Sequence, residues 1–105
     1  MKRGNLFEAI PAELEKEVFE SLIENGNVRI ERIISNGHRS PESGWYDQQQ
    51  NEWVLLLKGE ATIAFANDVI VELGPGDYID IPSHTRHKVI GTSSNSATIW
   101  LAVHY

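Results

Sequence analysis

Cysteine is absent from this chain, and that one absence removes disulfides, thiolate metal sites and thiol nucleophiles together. A reducing compartment is compatible with it, and a cytoplasmic location is the expectation. Long apolar runs are missing too. No stretch approaches the roughly 20 apolar residues of a membrane helix, and the N-terminal MKRGNLFEAIP lacks the apolar core of a secretory leader. Basic residues are few: nine Lys and Arg stand against 15 Asp and Glu, a formal net charge of -6, which repels phosphate backbones and anionic lipid. Arg29, Arg32, Arg39 and Arg86 are separated by acidic or neutral positions, so no basic stripe forms. Neither nucleic acid nor a membrane is expected as a partner. A glycine-rich phosphate loop, a nucleophile elbow and a histidine pair at helical spacing are likewise missing, so nucleophilic catalysis has little support.

What is present is turn chemistry at short intervals. Asn36-Gly37, Ser43-Gly44, Lys58-Gly59, Asn67-Asp68, Gly74-Pro75-Gly76 and Ser93-Ser94-Asn95 punctuate the chain after Val28. Between them lie VRIERII, EWVLLLKG, ATIAFA, DVIVEL, YIDIP, HKVIG and ATIWLAVHY, segments of strand length rich in β-branched and aromatic residues. So many short strands in 105 residues predict an all-β barrel or sandwich, in one domain spanning 1–105 with its core over about 28–105. Val54, Leu56, Ile63, Phe65, Val71, Ile81 and Ile99 are the expected core. Ahead of it, Leu14, Val18 and Leu22 recur at helical spacing and Pro11 suits a first helical position. Asn25-Gly26 between apolar stretches instead signals a hairpin. The combined reading is a short N-terminal helical turn over 11–16 followed by a strand.

Two stretches carry the chemistry. In the second, Gly76-Asp77-Tyr78-Ile79-Asp80-Ile81-Pro82-Ser83-His84-Thr85-Arg86-His87 resembles the second motif of the cupin superfamily, with Pro82 and His87 in register, His84 at the motif's glycine and Gly91 at its asparagine. In the first, counting back from Gly59 puts the motif's glutamate at Glu52, but its two histidines are replaced by Tyr46 and Gln48. The alternative motif spacing offers Trp45 and Asp47. The run WYDQ, then EWVLLLKGEA, ELGPGDYIDIP and TIWLAVHY, is similar to small bacterial single-domain cupins over about residues 28–105.

The resemblance implies a jelly-roll (double-stranded β-helix) barrel, a homodimer and a small-molecule pocket lined by Tyr46, Gln48, Glu52 and His87. It also implies one divalent ion (Zn, Mn, Fe or Ni) on Gln48, Glu52 and His87, with Asp47 as second choice. An amide oxygen is a weaker donor than imidazole and a phenol keeps its proton until about pH 10, so the altered first motif should weaken the metal. Without metal, Glu52 and His87 are expected to satisfy each other's hydrogen bonds. His84 and Arg86 are expected on an exposed loop, and His38 at the surface unless its loop folds over the barrel mouth. His104 belongs to no motif. The leading expectation is a small-molecule-binding barrel of unassigned activity, and the alternative is a metal-dependent isomerase or dioxygenase.

Overall fold

A computed structural model describes residues 1–41 and 43–105. Eight strands run in order: β1 (Val18–Asn25), β2 (Val28–Ser35), β3 (Glu52–Lys58), β4 (Ala61–Phe65), β5 (Ile70–Leu73), β6 (Tyr78–Ile81), β7 (His87–Thr92) and β8 (Thr98–His104). All pairings are antiparallel, in a five-stranded sheet of order β1-β2-β8-β3-β6 and a three-stranded sheet of order β5-β4-β7. The edge of β7 is further covered by the β2–β3 loop: Ser40 donates its amide to Val89 at 2.8 Å, and the Tyr46 and His87 backbones exchange bonds at 2.8 and 3.2 Å. Covering an edge in this way removes an open template for intermolecular pairing. Among the described residues no helix is long and apolar enough to cross a membrane.

The hairpin signal at Asn25-Gly26 is realised one residue on, with Asn25 opposite Val28 and Gly26-Asn27 as the two-residue loop. The helical turn expected over 11–16 is absent, and no described residue is helical. Six residues are too few to hold a helix unaided, and competing partners fix the segment otherwise. The Glu15 carbonyl accepts from His38 at 3.2 Å and the Glu17 carboxylate from the Ser35 hydroxyl at 2.6 Å. Upstream, the buried Arg32 guanidinium donates to the Leu6 and Glu8 carbonyls at 3.1 and 2.6 Å and to Glu20 at 2.8 Å. Residues 5–8 are thereby strapped to the outer face of the larger sheet, whereas Glu17, just ahead of β1, turns to the cavity side.

The core lies between the sheets. Val54, Leu56, Ile63 and Ile81 are buried in it with Ala61, Leu73 and Trp100, and Phe65 and Val71 pack against its margin. Ile99 departs from the expectation. It is 1% exposed but stands opposite Ile34 and Lys58, on the face of β8 turned away from Trp100, because side chains alternate along a strand. Gly59 lets the β3–β4 turn pass close to the start of β8: its φ is +91°, and a Cβ there would collide with Thr98 Oγ1 and lie 2.9 Å from Thr98 Cα.

Candidate functional site

A cavity of about 350 Å³ opens between the sheets, at the small end of the range for ligand sites. Ile33, Val54, Ile63, Ile81, Val89 and Trp100 make apolar walls. Its polar side is a row of ionisable groups placed by strand register. Glu52 opens β3 and His104 closes β8, and the two are direct partners. On the other side of His104 stands Arg29 of β2, with Glu31 two residues further along and therefore on the same face. His87 begins β7 in the opposing sheet.

The side chains join into a chain. Arg29 Nε lies 3.8 Å from Glu31 Oε2, His104 Nε2 donates to Glu31 Oε1 at 2.8 Å, Glu52 Oε2 is 3.8 Å from His104 Nε2, and His87 Nε2 is 3.4 Å from Glu52 Oε1. His87 Nδ1 faces the Thr85 carbonyl at 2.8 Å. A carbonyl can only accept, so Nδ1 carries a proton, and Nε2 meets the carboxylate favourably only if it is protonated as well. Burial, the largest single influence on His87, pulls its pKa down. The hydrogen bond and charge of Glu52 and the bond to Thr85 together outweigh it, leaving the value above the ordinary 6.5.

Of the residues expected to form the site, Tyr46, Gln48, Glu52 and His87 all line the cavity. Tyr46 stacks obliquely on His87 with centroids 5.9 Å apart, and Phe65 packs near the same ring at 6.1 Å. Asp47 does not line the cavity. Its carboxylate holds His84 Nδ1 at 2.6 Å in an exposed pair, so it is turned away from Glu52 and His87. His84 and Arg86 are exposed, and His84 takes the left-handed φ of 59° that explains a glycine at this motif position. The β2–β3 loop does reach the mouth: Ser40 lines the cavity, while His38 is half-buried and tied to Asn36 and Glu15. The β6–β7 turn is stapled to the approach to β3 by Ser83 Oγ to the Gln49 carbonyl at 2.7 Å, Ser83 N to Asn51 Oδ1 at 2.9 Å and His84 N to the Gln48 carbonyl at 2.8 Å.

Glu31 and His104 are the functional candidates that motif reading misses. Local sequence carries no signal for them: Arg29, Glu31 and Ile33 share one face of β2 and Trp100, Ala102 and His104 one face of β8, but the opposite faces of both strands are equally apolar. Trp100 adds a further unusual group. It faces Ile33 and Leu56, is 4% exposed, and its indole N–H is buried without an acceptor among the described residues, at a cost of about 1–3 kcal/mol.

The fit to a divalent ion is poor. Among the described residues no three His, Cys, Asp or Glu converge closely enough to hold one, because Glu52 spreads its two oxygens toward two different histidines and Glu31 is engaged by His104. As they stand, His104 and Glu31 are hydrogen-bonded and Glu52 makes longer ionic contacts with both histidines.

The cupin-domain profile matches residues 33–104. A Ralstonia eutropha JMP134 protein provisionally named a mannose-6-phosphate isomerase is 44% identical, with 99% of this chain and 97% of that chain covered and a TM-score of 0.96. A cupin superfamily protein from Desulfitobacterium hafniense DCB-2 is 21% identical, with 99% and 91% covered and a TM-score of 0.77. An RmlC-like cupin with a double-stranded β-helix fold from Methanocaldococcus jannaschii is 16% identical, with 90% and 84% covered and a TM-score of 0.69. No curated protein matches the sequence. With the profile covering both motif regions and most of the eight strands, the chain belongs to the cupin family.

Proposed function

We propose that this cupin binds a small molecule in the cavity between its sheets, with Tyr46, Gln48, Glu52 and His87 at the contact surface. The observation that carries the reading is the cavity's division into apolar walls and one row of convergent acid and base groups, the pattern of an orienting site. Glu52 and His87 can exchange a proton with an occupant, because a shared, enclosed pair is where protonation equilibria are movable. A thermal-shift screen tests the reading: ligands should raise the Tm of the wild type and lose that effect in Glu52→Gln. A screen in which nothing raises the Tm of the wild type defeats it.

A metal-dependent isomerase or dioxygenase is the second reading, and the provisional name of the 44%-identical Ralstonia protein supports its isomerase arm alone. It would require Zn, Mn, Fe or Ni on Gln48, Glu52 and His87, a set that would have to draw together to hold the ion, and the ion would supply Lewis acidity. Calorimetric titration of wild type and Gln48→His separates the two. On the metal reading the added imidazole raises zinc or nickel affinity by about tenfold or more, and on the first reading binding stays negligible in both. A homodimer in the cytoplasm completes the proposal. The absence of cysteine is compatible with that compartment.

A further inference from the structure

The cavity does not end at the row of charges. Arg29, Gln48 and His104 also line a polar groove beyond it, walled by the β1–β2 turn and by Gln49 and Gln50. Of these three, Arg29 is the least engaged, and its neighbour on β2 shows the contrast. Arg32, on the outer face, is buried and gives its guanidinium to Leu6, Glu8 and Glu20. The Arg29 side chain is 44% exposed, and its one ionic contact, Nε to Glu31 Oε2 at 3.8 Å, is too long for a hydrogen bond. Neither of its Nη groups has an acceptor among the described residues. Glu24, its direct partner on β1, turns instead to the Ser21 hydroxyl at 3.4 Å.

Other donors of the lining are open as well. The Gln48 amide, the Tyr46 hydroxyl and the buried Trp100 N–H have no acceptor among the described residues. The carboxylates are engaged: Glu17 holds Ser35, Glu31 accepts from His104, and Glu52 lies between two histidines. A guanidinium with a free two-nitrogen edge matches the paired oxygens of a carboxylate or phosphate. We propose that Arg29 anchors a ligand oxyanion, a carboxylate or a phosphate monoester, where cavity and groove meet. The Gln48 amide donates to the same group, and the apolar body of the ligand lies along the inner walls. This rests on the small-molecule reading above and deepens it by naming the group that the site recognises, through a residue outside both cupin motifs.

Matched carboxylates, phosphate monoesters and neutral primary amides on phenyl and isobutyl bodies test it by calorimetric titration at neutral pH. On at least one body the carboxylate or the phosphate should bind about tenfold or more tightly than the amide, and the tighter of the two identifies the oxyanion taken. Arg29→Gln should abolish that gap. Arg29→Lys, which keeps the charge and loses the fork, should narrow it. Arg86→Gln removes an exposed cation away from the cavity and should leave the gap intact. Circular dichroism confirms that each variant is folded, and Arg29→Lys carries the test if Arg29→Gln is not. An amide that binds as tightly as both anions overturns the proposal, as does a gap unchanged by Arg29→Gln, a gap lost equally in Arg86→Gln, or no binding of any member. The thermal-shift screen keeps the two readings apart. Stabilisation by uncharged compounds alone defeats the oxyanion anchor and leaves the pocket, whereas no stabilisation by any compound defeats both.

Discussion

Of the five residues in the acid–base row, Glu52 and His87 were legible in the sequence and Arg29, Glu31 and His104 were not. Glu52 and His87 fall at cupin motif positions, so counting from Gly59 and Gly76 finds them. Glu31 and His104 are 73 positions apart, and only the β2–β8 pairing unites them. Parity could not have chosen them, because both strands are apolar on both faces: Ile30 and Ile34 oppose Ile33, while Ile99, Leu101 and Val103 oppose Trp100 and Ala102. His104→Ala should leave Glu31 enclosed without its donor and destabilise the fold by about 1–3 kcal/mol in urea unfolding, with cavity water limiting the loss. His87 yields a pH prediction. Its folded pKa lies above the unfolded 6.5, so its contribution is fully present below that value and is lost as pH rises through the folded pKa. Unfolding free energies measured across this window should fall with rising pH in the wild type and fall less in His87→Gln. Equal slopes would mean that His87 does not hold its proton more tightly when folded.

At the level of elements, the strands were readable because turn residues bound each of them, and Gly59 shows why one turn residue is indispensable. Gly59→Ala combines a left-handed φ with a Cβ pressed onto the Thr98 backbone, and should cost about 2 kcal/mol or more. Gly76 has nearly the same φ of +90° but no atom within 4 Å of such a Cβ, so Gly76→Ala should cost only the strain, about 1 kcal/mol. Denaturant midpoints of the two variants compare them directly, and equal losses would show that backbone strain, not the contact with Thr98, governs both. The false expectation over residues 11–16 has a similar lesson. Spacing of Leu14, Val18 and Leu22 is compatible with a helix, but Val18 and Leu22 are claimed by β1, and the partners that hold Leu6, Glu8, Glu15 and Glu17 come from positions 32 to 38. Non-local bonds of that kind leave no trace in local periodicity. Arg32→Met should free the strap, read as faster amide exchange over residues 5–10 with little change in the strands.

For the whole molecule, the barrel with its two motif regions was visible from residue order alone, while ligand class and assembly were not, since fold does not dictate function. The homodimer predicts a light-scattering mass near twice the 11.8 kDa of the chain at micromolar concentration, and a mass of one chain throughout that range would refute it. The position of β8 bears on how any metal measurement is made. Its last residue, His104, faces the cavity, and Tyr105 exchanges backbone bonds with Asn51 at 2.8 and 3.0 Å, so whatever is fused to the C-terminus emerges at the rim of the site. A polyhistidine tag placed there would hang its own imidazoles beside Glu52 and His87 and manufacture the very metal affinity being assayed, whereas the same tag on Met1 departs from the strap on the outer sheet face.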